Sequence, residues 1–287
     1  MIRRSTLTML FFLLLGLALV GCTSTKRGEA VSSDGVAIQY EVSGKGEPVL
    51  VFVHGWCCDR GYWRYQLSRF ARDHKVVALD LAGHGGSGAN RTDWTVESFG
   101  GDVAAVVELL DLEKVILIGH SMGGQVNLEA ARRLPGRIIG LVGVDTYQDF
   151  EAEFPRERRD QFIESFKVDF VRRTENFVRG MFVPRSDSAL VEWVVRDMAS
   201  APPDVGIGAM AEFLAYRSIG TLAELNLPIR CINSDKYPVN VEAGRRHALS
   251  FEVTLMHGLG HFVMLEDPER FNALLTGVIE GLKTKDK

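Results

Sequence analysis

The sequence predicts a doubly wound α/β fold: a mostly parallel sheet with a helical cap inserted between two strands. From residue 31 onward, short apolar runs alternate with longer amphipathic segments. Most of the apolar runs are nearly continuous, which is typical of parallel strands that helices cover on both faces. One interruption, at about residues 146–221, is rich in helix formers and has no convincing strand pattern.

Seven strands and five helices are predicted outside that interruption. The first strand, residues 36–42, alternates as a half-buried strand does. The other predicted strands are residues 49–54, 75–80, 114–119, 138–145, 228–233 and 251–256. The predicted helices are residues 61–72, 95–110, 122–134, 240–249 and 268–282. These elements assign residues 31–145 and 222–287 to the core.

Residues 146–221 are predicted to form the helical cap. Phe162, Phe166 and Phe170 recur every four residues, so they share one face of a helix. We interpret this stripe as packing within the cap rather than as a pocket lining. An insertion between two strands is expected over the carboxyl edge of the sheet, where open α/β sheets bind their ligands.

The first 22 residues have the pattern of an export signal. Two early arginines precede an apolar stretch that is short for a transmembrane helix and typical of a secretory signal. The stretch also resembles a bacterial lipoprotein signal, because Leu19, Val20, Gly21 and Cys22 match its cleavage box. That resemblance implies a signal peptide over residues 1–21, a lipid on Cys22, and a membrane-anchored protein on the periplasmic or extracellular side of a bacterial envelope. An ordinary signal with a chance cysteine is the alternative.

Composition excludes several classes of partner and cofactor. The formal net charge is −4, so no basic face for nucleic acid is expected. Residues 22–30 are small and polar, and are predicted to be a flexible tether. Cys57, Cys58 and Cys231 have no metal-ligand spacing, and we expect them to be small buried hydrophobic residues. No metal and no cofactor are predicted.

A serine lies in a tight turn between a predicted strand and a predicted helix. The segment Gly119-His120-Ser121-Met122-Gly123 fits the pattern G-x-S-x-G. Such a turn strains the serine backbone and needs flanking residues without side chains, which Gly119 and Gly123 supply. The serine hydroxyl would then lie at the amino end of a helix, where backbone N–H groups favour negative charge.

Other motifs supply the context for a nucleophilic serine. His54-Gly55 ends an early strand, and the backbone N–H of Trp56, with that of Met122, would form a two-donor oxyanion hole. The remaining motifs are Asp80-x-x-Gly83-x-Gly85-x-Ser87 and Gly258-x-Gly260-His261.

In this order the motifs resemble those of the α/β-hydrolase family over essentially residues 31–285. The resemblance implies that Ser121 is the nucleophile and His261 the base, and that Asp80 is a structural residue. In such enzymes the chain order is serine, acid, histidine.

The acid of the triad is open between two residues. Asp235 follows the predicted strand at residues 228–233, but it comes earlier than the family pattern has it, with Ser234 where a glycine is usual. Asp145 ends the strand at residues 138–145, and some relatives take the acid from that strand. We favour Asp235 and keep Asp145 as the alternative.

The motifs predict a serine hydrolase that acts through an acyl-enzyme on a small molecule, with a carboxylic ester bearing an apolar portion as the favoured substrate. The same triad also serves amide, lactone or C–C bond hydrolysis and perhydrolysis, which remain alternatives. A catalytically inactive binding module of the same fold, tethered to the membrane, is the alternative from another class.

Overall fold

The structure, a computed structural model, describes residues 24–283. The predicted signal peptide and Cys22 lie outside these residues. Within the described part of the chain, no helix has both the length and the apolar character that crossing a membrane requires.

Within residues 24–283, one sheet of eight strands forms the centre of the fold. The strands are β1 (Lys26–Val31), β2 (Ala37–Ser43), β3 (Val49–Val53), β4 (Val76–Leu79), β5 (Val115–His120), β6 (Ile138–Val144), β7 (Pro228–Ser234) and β8 (Ser250–Met256). Their order across the sheet is β1-β2-β4-β3-β5-β6-β7-β8. Strand β2 is antiparallel to both of its neighbours, and the other described pairs are parallel. The predicted mostly parallel sheet is confirmed.

The central strands are buried along their whole length, as their unbroken apolar sequences predict. Every residue of β3, VLVFV, and of β5, VILIGH, is buried. Helices cover the two faces of the sheet, so these strands have no solvent-facing side to carry polar residues.

Eleven helices accompany the strands in the described residues. They are α1 (Arg64–Phe70), α2 (Val96–Leu109), α3 (Met122–Arg133), α4 (Arg156–Val168), α5 (Phe170–Arg179), α6 (Ser188–Ala199), α7 (Pro203–Ala215), α8 (Ser218–Glu224), α9 (Val241–His247), α10 (Val263–Glu266) and α11 (Pro268–Lys283). A short 3₁₀ helix, Arg60–Trp63, precedes α1. Helices α4 to α8 lie between β6 and β7, which is the insertion point predicted for the cap; the predicted end of the cap, residue 221, falls within α8.

Strand β1 is a correction to the sequence analysis. Residues 22–30 were expected to be a flexible tether, but Lys26–Val31 pairs with β2 from Lys26↔Val42 to Val31↔Ala37. The segment is mostly polar because it is an edge strand with several exposed residues; of its six residues only Ala30 is buried. Main-chain pairing, rather than an apolar pattern, places it in the sheet.

Candidate active site

Ser121 lies in a sharp turn between β5 and α3. Its φ angle is 53°, in the left-handed region that residues with a side chain rarely adopt. A Cβ atom on Gly119 would lie 2.3 Å from the carbonyl oxygen of Gly123. One on Gly123 would lie 2.6 Å from the carbonyl oxygens of Val53 and His54. The turn therefore closes only with glycine at both flanking positions, as the motif predicts.

The loop after β3 lies against the Ser121 side chain. A Cβ atom on Gly55 would be 3.1 Å from the Cβ of Ser121, so this loop brings the next residue, Trp56, beside the serine. Met122 is the first residue of α3, and its backbone N–H has no partner within the helix ladder. Trp56 and Met122 thus both lie beside Ser121, and their role as oxyanion-hole donors stays a prediction.

The structure pairs His261 with Asp145. The distance from His261 Nδ1 to Asp145 Oδ2 is 2.5 Å, and the Asp145 side chain is completely buried. The other carboxylate oxygen, Oδ1, accepts a hydrogen bond of 2.7 Å from the backbone N–H of Ser234. This carboxylate therefore holds one nitrogen of the imidazole and leaves the other, Nε2, for a second partner.

The preference for Asp235 as the partner of His261 is wrong. Asp235 lies at the surface, where its carboxylate is 3.1 Å from Nδ1 of His257 and accepts a 2.7 Å bond from the Gly258 N–H. These bonds lower the pKa of Asp235. The side chain of His257 is 68% exposed and that of His261 is 11% exposed, so only the second pair is enclosed. The alternative, Asp145, is the residue that contacts His261.

Ser121 and His261 open into one cavity of about 290 Å³ under the cap. Its lining consists of Trp56, Cys58, His120, Ser121, Met122, Phe154, Phe162, Phe177, Met181, Met198, Met210, Phe213, Leu214, His261 and Phe262. No carboxylate, lysine or arginine side chain is among them, so the two histidines and the serine are its main polar groups. Burial and the neighbouring His261 ring lower the pKa of His120 well below its usual range, so its ring is neutral.

The phenylalanines of the stripe pack against neighbouring rings, and one of them also lines the cavity. Phe166 and Phe170 pack against the ring of Trp56, with ring centroids 5.6 and 6.3 Å away. The indole N–H of Trp56 donates a 2.7 Å hydrogen bond to the carbonyl of Gly206 in α7. Phe162, in contrast, lines the cavity. Phe162 packs as well, with its ring centroid 5.2 Å from that of Phe166, so the packing interpretation holds for all three residues and only the exclusion of a pocket role is wrong, for Phe162.

Two polar residues of the motifs organise loops around the serine. His54 Nδ1 is 2.8 Å from the Gly55 carbonyl, and its Nε2 accepts a 3.0 Å bond from the Leu81 N–H. Burial lowers the pKa of His54 to about 4, so the ring is neutral. Asp80 accepts 2.8 Å bonds from the N–H groups of Arg60 and Gly86 and pairs with the Arg60 guanidinium. The structural interpretation of Asp80 is in accord with these bonds.

The remaining cysteines are buried and unbridged, as expected. Cys57, Cys58 and Cys231 are free thiols, and burial raises the pKa of each. Among residues 24–283, the structure contains no cluster of three or more His, Cys, Asp or Glu side chains suited to a metal ion.

Sequence reasoning missed residues whose contacts come from distant parts of the chain. Ser234, noted only for standing in place of a usual glycine, fixes Asp145 through its backbone N–H. Glu266 contacts the loop of His261 and also the cap. It follows the motif Gly258-x-Gly260-His261 by five residues, and no local pattern distinguishes it.

Comparison with known proteins identifies the family. The model of the alpha/beta hydrolase family matches residues 50–274, well over half of the chain. The protein belongs to the alpha/beta hydrolase family. A solved relative of this fold, the esterase EaEST from Exiguobacterium antarcticum, matches with a TM-score of 0.79 at 20% identity, over 88% of this chain and 98% of that one. At such identity the likeness shows the fold alone.

Two curated relatives of this α/β-hydrolase differ in how much they share with it. The karrikin insensitive 2 receptor CA of Petunia hybrida is 24% identical over 244 residues, which cover 80% of this chain and 90% of the receptor. The dihydrolipoyllysine-residue acetyltransferase component of the acetoin cleaving system of Cupriavidus necator is 34% identical over 108 residues. That match covers 38% of this chain and only 29% of the longer protein, so it reports a shared segment.

Proposed function

We propose that the protein is a serine hydrolase that cleaves a neutral carboxylic ester with an apolar portion through an acyl-enzyme. The observation that carries the proposal is the 2.5 Å contact between the buried Asp145 carboxylate and His261, whose ring lines the same cavity as Ser121. Membership of the alpha/beta hydrolase family supports the hydrolase assignment. The ester and the serine mechanism rest on the geometry of this site.

Each residue has a defined task in this mechanism. A serine hydroxyl is a weak nucleophile at neutral pH, so His261 Nε2 takes the Ser121 proton as the oxygen attacks the ester carbonyl. Asp145 keeps the proton on Nδ1 and stabilises the imidazolium that forms. The N–H groups of Trp56 and Met122 bind the oxyanion. The imidazolium then protonates the departing alcohol, and water releases the acid by the same steps.

The cavity lining supports an apolar, uncharged substrate. Aromatic rings and methionine side chains from the cap face Ser121, and no charged lysine, arginine or carboxylate side chain lines the space. Transfer of a charged substrate portion into such a site would lose hydration without a compensating partner. An apolar acyl or alcohol group would instead gain about 25 cal/mol for each Å² of apolar surface removed from water.

The test is covalent labelling followed by an ester series. A fluorophosphonate probe should label the folded wild-type protein at Ser121, and Ser121→Ala should abolish labelling while the exposed Ser200→Ala leaves it unchanged. Neutral p-nitrophenyl esters of graded chain length should be hydrolysed, and a substrate with a charged acyl group should not. Intact labelling with no hydrolysis across the series would refute the ester and favour amide, lactone or C–C substrates or perhydrolysis.

The similarity to a receptor favours one second candidate, a ligand-binding module. In that case the cavity would hold a neutral apolar ligand without turnover. A folded wild-type protein that the probe fails to label would support this candidate, whereas labelling at Ser121 together with ester turnover would exclude it.

We also propose, on the N-terminal sequence pattern alone, that the protein is exported and anchored by a lipid on Cys22. Mass spectrometry of the mature protein should find a lipid-modified N-terminus at Cys22, and Cys22→Ala should release the protein from the membrane fraction. A mature N-terminus that retains residues 1–21 would contradict the proposal.

A further inference from the structure

The main chain of His261 is held from both sides. Its N–H donates a 3.0 Å hydrogen bond to the carbonyl of Met181, which belongs to the cap. Its carbonyl oxygen is 3.0 Å from Nε2 of His120. Because a carbonyl oxygen only accepts hydrogen bonds, the neutral His120 ring carries its proton on Nε2 and donates it to this oxygen. His120, which precedes Ser121, and Met181 of the cap thus both bind the backbone of His261.

Glu266 binds the neighbours of His261. Its Oε2 accepts a 3.1 Å bond from the Gly260 N–H, and its Oε1 accepts a 3.3 Å bond from the Phe262 N–H. Because the His261 N–H bonds the Met181 carbonyl, the backbone N–H groups of residues 260, 261 and 262 all have acceptors. A carboxylate is suited to this place because it has two acceptor oxygens and no donor.

The same carboxylate reaches the cap. Ser186 Oγ lies 2.7 Å from Glu266 Oε2 and donates to it. Ser186 and Met181 both belong to the segment between α5 and α6, which we call the cap loop (residues 181–186). The cap loop therefore contacts the histidine's loop directly through Met181 and indirectly through Glu266.

The two glycines before His261 make room for the cap loop. A Cβ atom on Gly260 would lie 2.6 Å from the Met181 carbonyl oxygen and 2.8 Å from Glu266 Oε1. Gly258 has a φ of +76°, and a Cβ there would overlap the guanidinium of Arg185, whose Nε donates a 2.6 Å bond to the Gly258 carbonyl. The G-x-G-H motif in this chain is thus also a docking surface for the cap.

We propose that Glu266 is a positioning residue for His261: by joining the histidine's loop to the cap loop, it sets where the imidazole lies relative to Ser121. The proposal rests on the proposed function, because it assigns His261 as the base. Asp145 fixes only the Nδ1 end of the ring, so the place of Nε2 also depends on the main chain. A displacement of about 1 Å at a reacting group can cost about 100-fold in rate.

The first test compares kcat with KM in variants of Glu266. Glu266→Ala should lower kcat by about 10- to 100-fold on a neutral p-nitrophenyl ester and leave KM within about twofold, because the cavity lining is unchanged. Glu266→Gln keeps one acceptor oxygen and should lose less. Glu269→Gln, an exposed carboxylate three residues further on, is the matched control and should stay within about twofold of wild type.

A double-mutant cycle separates positioning from a general structural role. If Glu266 acts through His261, then Glu266→Ala should change the residual rate of His261→Ala by less than about twofold. A merely structural role would lower the rate equally in both backgrounds. Amide hydrogen exchange gives a readout that needs no activity: protection of the Gly260 and Phe262 N–H groups should fall in Glu266→Gln and persist in Glu269→Gln.

The outcomes distinguish this proposal from the proposed function. If wild type is labelled and active but Glu266→Ala and Glu266→Gln keep its kcat, the positioning role is refuted and the hydrolase stands. The positioning role is also refuted if Glu266→Ala lowers the rate by the same factor in wild type and in His261→Ala. If the folded wild type is neither labelled nor active, the proposed function fails, and the positioning role fails with it.

Discussion

Replacing Asp145 by asparagine should abolish most of the activity without unfolding the protein. The asparagine side chain would keep an acceptor oxygen for the Ser234 N–H, now bonded at 2.7 Å, and asparagine tolerates the φ of 46° found at this position. The charge that stabilises the imidazolium, at present 2.5 Å from Nδ1 and fully buried, would be lost, and the amide would favour the wrong tautomer. In a serine triad such a change costs about 10⁴-fold in kcat, equivalent to about 5 kcal/mol of transition-state stabilisation.

Asp235→Asn is the matched control for that experiment. It removes one charge from an exposed aspartate that also contacts a histidine, and we expect kcat to stay within about threefold of wild type. The assay is kcat on a neutral p-nitrophenyl ester, with urea denaturation of each variant to confirm folding. If Asp235→Asn lost as much activity as Asp145→Asn, the assignment of the acid from geometry would be refuted.

Three further predictions concern stability. Trp56→Phe keeps a ring among the cap phenylalanines but leaves the Gly206 carbonyl without its 2.7 Å bond, so it should lower the unfolding free energy by about 1–3 kcal/mol in urea; an unchanged value would contradict this. Arg91→Ala leaves the buried Asp102, now 2.5 Å from Arg91, unpaired and should cost about 3–5 kcal/mol, whereas Arg137→Ala, which loses partly exposed ion pairs, should cost less than about 1 kcal/mol. Burial lowers the pKa of His54 to about 4 and that of His84 to about 3, so below pH 6.5 each of these rings binds more protons in the unfolded chain than in the folded one. Lowering the pH from 7 to 5 should therefore cost about 2 kcal/mol of unfolding free energy for each of these two rings, and His84→Gln should lose about 2 kcal/mol less than wild type over this range; an equal loss in both proteins would refute the argument.

The central sheet could be predicted because its strands are buried on both faces. Sequences such as VLVFV and VILIG are apolar throughout, which predicts strands buried on both faces. The observed β3 and β5 agree with the predicted strands to within a residue. Strand β1 could not be found in this way. Its sequence KRGEAV has no apolar alternation, and its place depends on main-chain pairing with β2, which composition does not encode.

Ser121 and His261, the proposed nucleophile and base, could be selected from the sequence because their motifs express local constraints. Gly119 and Gly123 are needed by the turn itself, and a Cβ on either would overlap backbone atoms. The cap residues of the cavity were not predictable one by one. Whether Phe162 only packs or also lines the pocket depends on how α4 lies over the sheet, and the same four-residue spacing describes both outcomes.

The carboxylate partner of His261 could not be decided from sequence because two neighbouring strands are each followed by an aspartate. Strands β6 and β7 are parallel and in register from Leu141↔Ile229 to Val144↔Ile232, so Asp145 and Asp235 emerge at the same edge of the sheet. Each aspartate contacts a histidine of the loop after β8, Asp145 with His261 and Asp235 with His257. The presence of a histidine partner therefore does not distinguish the two aspartates. What distinguishes them is burial: the side chain of His261 is 11% exposed and its N–H bonds the cap at Met181, whereas the side chain of His257 is 68% exposed. The sequence of strand β6 or β7 does not encode these contacts, because the residues that bind the main chain of His261 come from distant parts of the chain.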